Sequence, residues 1–198
     1  SQVTRSVGIR IERTRLAQQL SGLEPKPAPF LVEQLHRLPK GRVLDLAAGG
    51  GRHSLLLAAK GYHVDAIDRD EAALSQLSAS ATKQGLPPIK TRTIDLEQPA
   101  PFDPGLGHET YDAAIVFFYL HRPLFPFLID ALKPGGVLIY ETFTIDNYTH
   151  HKHPRRWEFC LSHNELLRMT STLQTLHYDE GAHDGVEGPR STYTAQLV

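Results

Sequence analysis

From residue 29 onward the chain alternates short apolar runs with segments whose apolar residues recur at helical spacing. Arg42 to Ala47 (RVLDLA) has the length and continuous apolar character of a buried strand. Arg52 to Lys60 follows as a helix with Leu55, Leu56 and Ala59 on one face, and Gly61 is placed to cap it. Tyr62 to Ile67 predicts a second strand, and Asp70 to Gln84 an Ala/Leu-rich helix stopped by Gly85 and Pro87-Pro88. Ile89 to Ile94 predicts strand three. Residues 97–107, with Pro99, Pro101, Pro104 and two glycines, predict a loop. Tyr111 to Phe118 reads as strand four, Pro123 to Leu132 as a helix, and Gly136 to Glu141 as strand five.

This rhythm predicts a doubly wound parallel sheet with helices on both faces. The carboxyl-terminal part differs. Ser162 to Thr170 reads as a helix, and Leu173 to Glu180 and Thr192 to Val198 as two strands joined by a Gly-rich turn. Such a pair makes an antiparallel hairpin at the sheet edge and brings the expected strands to seven. Residues 144–160 read as a long loop of the kind that forms lids. Residues 1–28 read as an amino-terminal arm, with a helix around Ile9 to Leu20 followed by a loop rich in Pro25, Pro27 and Pro29; the domain proper is expected over 29–198.

Composition narrows the class. A chain of 198 residues, 40% hydrophobic and 22% charged, can bury one substantial core. The net charge of -1 gives no long-range attraction to nucleic acid or anionic membrane, although Arg5, Arg10, Arg13 and Arg15 form a small basic arm. Cys160 is the only cysteine, so neither an intramolecular disulfide nor a thiolate metal cluster is expected. No apolar run approaches the roughly 20 residues that cross a bilayer. The start of the chain is polar and basic, without a hydrophobic signal core, so a reducing cytoplasm is the expected setting.

The chemistry concentrates in VLDLAAGGGRHS, Val43 to Ser54, a strand running into a glycine turn that opens a helix. Doubly wound folds bind nucleotide-like ligands at this position. Gly49 and Gly51 let the main chain approach a ligand closely, and the following helix offers unpaired N–H groups. A dinucleotide site expects a third glycine, but Gly51 is followed by Arg52, His53 and Ser54. Asp45 stands four residues before Gly49, where a carboxylate repels a pyrophosphate and attracts the ammonium of an amino-acid-bearing cofactor. Asp68, about 17 residues beyond Gly51, is placed to accept both hydroxyls of a ribose, a feature NAD would share. Asp95 follows strand three, where it reads equally as an adenine contact and as a turn former. Asp70 reads as a helix N-cap.

VLDLAAGGGRHS, VDAIDRD and LKPGGVLIYETF resemble the motifs of class I S-adenosylmethionine-dependent methyltransferases, most of all the small bacterial enzymes of the tellurite-resistance type. The resemblance implies a Rossmann-like fold with a reversed carboxyl-terminal hairpin, S-adenosylmethionine as cofactor, and methyl transfer as the activity. It implies that Asp45, Gly49 and Gly51 hold the methionine part, Asp68 the ribose, and Asp95 with Leu96 the adenine. Ala47, Arg52, His53, Arg69 and Phe117 complete the expected cofactor-binding set. It carries over no catalytic residue.

The acceptor is expected above strands four and five, where Tyr119, His121 and Glu141 are the catalytic candidates. Tyr119, Arg122, Glu141, Arg155 and Arg156 are the expected substrate contacts, with Glu141 either holding a cationic acceptor or pairing with Arg155 or Arg156. His150, His151 and His153 lack companion carboxylates or cysteines, and no metal is expected. The leading expectation is a small-molecule acceptor, a chalcogen oxyanion or thiol among the candidates. An RNA or protein methyltransferase, a non-catalytic cofactor-binding partner subunit and an NAD-dependent reductase are the alternatives.

Overall fold

The computed structural model describes residues 26–99, 101–184 and 191–198. The helix expected over Ile9 to Leu20 lies outside the described residues, as does the arm over 1–28 apart from its last three positions. The helices are α1 (Pro29–Gln34), α2 (Arg52–Ala59), α3 (Glu71–Lys83), α4 (Phe125–Asp130), α5 (Ile145–His151) and α6 (Glu165–Met169). The strands are β1 (Arg42–Leu46), β2 (His63–Asp68), β3 (Lys90–Thr93), β4 (Tyr111–Phe117), β5 (Leu132–Phe143), β6 (Tyr178–His183) and β7 (Thr192–Leu197).

One seven-stranded sheet runs in the order β3-β2-β1-β4-β5-β7-β6. β1 to β5 pair in parallel, and β7 lies antiparallel between β5 and β6. β1 and β4, in the middle, are buried on both faces, which is why their apolar residues run consecutively and do not alternate. One face packs Val43, Ile115 and Ile139 with Phe30, Leu57 and Leu77 of α1, α2 and α3. The other packs Leu44, Val116 and Tyr140 with Leu128 of α4 and Leu166 of α6. No helix among the described residues is long and apolar enough to cross a membrane.

Several boundaries differ from the sequence-based expectation, each for a local reason. Pro29, expected in a loop, opens α1, where its missing N–H costs nothing. The helix expected over 123–132 is split into a 3-10 turn, Arg122–Leu124, and the shorter α4, each with a proline in its first turn. β5 starts at Leu132, and its Lys-Pro-Gly-Gly segment forms a wide bulge. Tyr111 pairs with Leu132 and Ala113 with Val137, so residues 133–136 stand opposite Asp112 alone. Lys133 Nζ closes the bulge on Asp112 Oδ1 at 2.9 Å. The penultimate strand begins at Tyr178 and not at Leu173, because the amides of Leu176 and His177 both turn to the carbonyl of Val198.

The largest correction concerns 144–160. The segment is not one long loop: it contains α5 and a 3-10 turn, Trp157–Phe159. Ile145 N–H donates to the Leu161 carbonyl at 2.8 Å. The buried Asn147 amide donates to the His153 carbonyl at 2.8 Å, and its oxygen accepts the Tyr193 N–H at 3.0 Å. These tertiary bonds hold a helix whose own sequence shows no apolar period.

Candidate functional site

The carboxyl ends of β1 to β4 open on one cleft of about 290 Å³, lined by Ala47, Asp68, Arg69, residues 94–97 and residues 117–119. Two residues just past strand ends, Ala47 (φ 58°) and Phe118 (φ 56°), take the left-handed conformation that side chains rarely adopt, and both line it. Gly49 (φ 52°) lies beside the cleft, and a methyl group built on it would meet none of the described residues within 4 Å. Gly51 (φ 73°) is different, because its α-carbon rests against the side chain of Leu77 on α3. One glycine of the turn leaves room for a ligand, and the other leaves room for the protein itself.

Asp68 ties the turn to the end of β2. Its Oδ2 accepts the Gly49 N–H at 2.7 Å and its Oδ1 the Asp70 N–H at 2.9 Å. Asp70 in turn caps α3, accepting the Ala73 N–H at 3.0 Å, as its sequence position predicts. Asp95, exposed on the cleft wall, accepts the Glu97 N–H and the Gln98 side-chain amide, and so forms a turn as well as lining the cleft. Leu96 beside it is buried.

Asp45 takes a different place from the other acids. It is 2% exposed beneath the glycine turn, where its Oδ2 accepts the Ser54 hydroxyl at 2.6 Å, and it is not among the cleft-lining residues. Burial pushes its carboxyl up to about 7, partly opposed by hydrogen bonds from the Ser54 hydroxyl and amide. His53, also buried, has its basicity pushed down to about 3 by burial and then by the neighbouring Arg52. Its Nε2 accepts the Ala28 N–H at 3.2 Å, and its ring lies 4.3 Å from that of Phe117. Arg52 donates to the Lys26 carbonyl at 3.2 Å and lies over the Phe118 ring. Both residues after Gly51 thus fasten residues 26–28 across the rim, a role the motif alone does not reveal.

At the ends of β4 and β5, Tyr119 lines the cleft with a buried hydroxyl that meets no partner among the described residues, and burial raises its phenol well above the usual range. The half-buried His121 leads into the 3-10 turn before α4. Arg122 binds Glu165 through two nitrogens, at 2.5 and 3.1 Å, and also reaches the Glu158 and Cys160 carbonyls. Its guanidinium is thereby spent on latching residues 158–165 to the end of β4. An Arg122→Ala variant is expected to speed amide exchange at 162–166 roughly tenfold while leaving the melting midpoint nearly unchanged, since the latch is local. Mass-spectrometric hydrogen exchange measures it, and unchanged protection there would overturn this role.

Arg155 is exposed, and Arg156 stands 3.7 Å from Glu158 and over the Phe159 ring. Among the described residues neither is the partner of Glu141. That side chain is fully buried in β5. Its Oε1 accepts the Thr194 hydroxyl at 3.0 Å and the Gln196 amide at 2.8 Å, while Oε2 has no partner among the described residues. Burial raises its carboxyl, opposed by these two donors and by the charges of His183 and Arg52. Thr194 and Gln196 are not marked by any motif; their signal in the sequence is Thr-Tyr-Thr-Ala-Gln-Leu itself, whose polar residues alternate on a strand that lies inside the sheet. The histidines of α5 and its exit are engaged locally, His150 against Tyr193, His151 on the Ser191 carbonyl and His153 edge-on to Phe143.

Comparison with known proteins places this architecture. The TehB of Haemophilus influenzae, as a crystal structure, superposes with a TM-score of 0.70 at 22% identity over 87% of this chain and 62% of that one. In sequence, the probable S-adenosyl-L-methionine-dependent methyltransferase TehB of Haemophilus influenzae is 30% identical over 147 residues, 70% of this chain and 48% of that protein. The trans-aconitate 2-methyltransferase of Rhizobium meliloti is 35% identical over 130 residues, 63% of this chain and 48% of that protein. The chain thus spans about half the length of the curated relatives it matches. The family model described as tellurite resistance protein TehB matches residues 30–185, from α1 through β6 and so across the whole cleft. The chain belongs to the TehB family.

Proposed function

We propose that this chain is an S-adenosylmethionine-dependent methyltransferase for a small-molecule acceptor. The observation that carries the reading is the join of the glycine turn to Asp68. One carboxylate holds both the Gly49 amide and the start of α3, beside open space at Gly49 and a cleft crossing four strand ends. Each Asp68 oxygen keeps a lone pair for a ribose hydroxyl. Asp95, Leu96 and Glu97 form the wall for an adenine, and Ala47 and Gly49 the floor for the amino-acid end. Asp45 acts from beneath, shaping the turn through Ser54. When bound, the cofactor supplies an electrophilic sulfonium methyl; the chain has to align the acceptor and exclude water.

Support for a small acceptor comes from relatives named TehB and trans-aconitate 2-methyltransferase. Calorimetric titration with S-adenosylmethionine tests the cofactor. Micromolar binding is expected for the wild type. A Kd raised roughly 100-fold is expected for Asp68→Asn, because an amide cannot accept from Gly49, Asp70 and two hydroxyls together. Binding of NADH in place of S-adenosylmethionine would overturn the proposal.

A further inference from the structure

Among the described residues three large hydrophobic side chains stand exposed, and two of them, Trp157 at 58% and Phe159 at 38%, sit on one 3-10 turn, Trp157–Phe159. The backbone of this turn is fastened on several sides. Phe159 N–H donates to the Arg156 carbonyl at 3.2 Å and Cys160 N–H to the Trp157 carbonyl at 2.9 Å. The Arg122 guanidinium donates to the Glu158 and Cys160 carbonyls at 2.8 and 3.0 Å. Cys160 and Leu161, which follow, are buried. The exposure of the two rings is thus built into the fold. An indole held in water by a fixed backbone forgoes the free energy that covering it would return.

The same stretch carries a local excess of positive charge. Lys152, Arg155 and Arg156 are exposed, and Glu158 is the one acid among residues 150–160, in a chain whose net charge is -1. Arg156 lies over the Phe159 ring, 5.1 Å from its centroid, and 3.7 Å from Glu158, so rings and cations form one patch. The patch borders the rim on which the cleft opens. Phe118, which lines the cleft, stands 5.3 Å from the Phe143 ring at the end of β5, and Phe143 stands 4.9 Å from the His153 ring.

We propose that residues 152–159 dock this chain on an anionic lipid bilayer, with Trp157 and Phe159 entering the headgroup layer and Lys152, Arg155 and Arg156 meeting the lipid phosphates. A tryptophan, apolar in its ring and polar at its N–H, suits that boundary. Each cation close to an anionic leaflet strengthens binding about fivefold. The net charge of the chain exerts no long-range pull, so the contact is short-ranged, salt-sensitive and reversible. Nucleic acid fits this patch less well, because it calls for a broad basic face that neutralises many phosphates, and here three cations lie within five residues. Docking through this turn brings the rim that carries the cleft to the bilayer. It does not depend on the methyltransferase reading and is measured without cofactor.

Trp157 is the only tryptophan of the chain, so its fluorescence reports on the patch directly. The test titrates the protein with vesicles of two parts phosphatidylcholine to one part phosphatidylglycerol, and with vesicles of phosphatidylcholine alone. A shift of emission to shorter wavelength is expected with the mixed vesicles and its near absence with the neutral ones. Co-sedimentation with the mixed vesicles is expected to weaken roughly tenfold for Arg155→Gln/Arg156→Gln and to stay within about twofold of wild type for Arg155→Lys/Arg156→Lys, which keeps the charges. Trp157→Ala is expected to weaken it roughly tenfold as well, and Leu176→Ala, an exposed apolar side chain elsewhere, to leave it unchanged. Unshifted emission, an equal response to neutral vesicles, or full binding by the glutamine variant would overturn the proposal. Quenching of Trp157 by single-stranded RNA without a vesicle response would assign the patch to nucleic acid instead. A shift that follows protein concentration without lipid would assign it to a second copy of the chain.

Discussion

A Gly51→Ala variant is expected to melt roughly 5–15 °C below the wild type, at a cost of about 2–5 kcal/mol. Two independent penalties add. The residue sits at φ 73°, where a side chain costs about 1–2 kcal/mol. The added carbon would also stand 2.4 to 2.8 Å from Cδ1, Cδ2 and Cγ of Leu77, the whole end of that side chain. Leu77 is 1% exposed and packed in the core, so it has nowhere to retreat, and overpacking of this kind costs about 1–3 kcal/mol. Gly49→Ala gives the contrasting result. Its φ is also positive, but none of the described residues lies within 4 Å, so the stability loss is about 1 kcal/mol and the larger loss is expected in S-adenosylmethionine affinity. Thermal melts beside calorimetric titrations separate the two. Equal melting points for the two variants would refute the division of labour within the turn.

The second large effect concerns pH. Asp45 titrates near 7 in the fold against an ordinary 3.8. Between those values the native state holds a proton that the unfolded chain has released, so this group's contribution to stability is full at low pH and is lost as pH rises. His53 titrates near 3 against an ordinary 6.5. Between those values the unfolded chain holds the proton and the native state does not, so its contribution rises with pH. The windows overlap from about 4 to 6.5, and there the two slopes, each up to about 1.4 kcal/mol per pH unit, oppose one another. Asp45→Asn is therefore expected to gain on the wild type by roughly 1 kcal/mol per pH unit from pH 4.5 to 6.5. His53→Gln is expected to fall behind by a similar slope over the same range. Urea denaturation at three pH values measures both; curves parallel to the wild type would mean that neither group titrates as its burial requires.

Most of this arrangement was legible from residue pattern, and the exceptions share a cause. The central strands, the glycine turn, the Asp70 cap and the acids at the strand ends follow from periodicity and local chemistry, which act within a few residues. α5 is not legible in the sequence because its polar residues are held by the bond from Tyr193, distant in the chain, to Asn147. The burial of Asp45 under Ser54, the fastening of residues 26–28 by Arg52 and His53, and the engagement of Arg122 by Glu165 are likewise contacts between segments. Glu141 is visible in the sequence as a carboxylate ending a buried strand. Its partners were not foreseeable, because they depend on β7 entering the sheet beside β5.

That insertion has a consequence for the order of assembly on the ribosome. β1 to β5 can each find an edge among strands already made, since β2 and β4 flank β1, and β3 and β5 extend the two sides. β6 cannot, because its only neighbour among the described residues is β7, which is synthesised after it. For the interval between them, β5 presents a bare edge, β6 waits unpaired, and the Glu141 carboxylate lacks both of the donors that later hold it. An exposed edge and an unmet carboxylate are the marks of an aggregation-prone intermediate. The nascent chain thus passes through its most exposed interval while a core carboxylate is still without its donors.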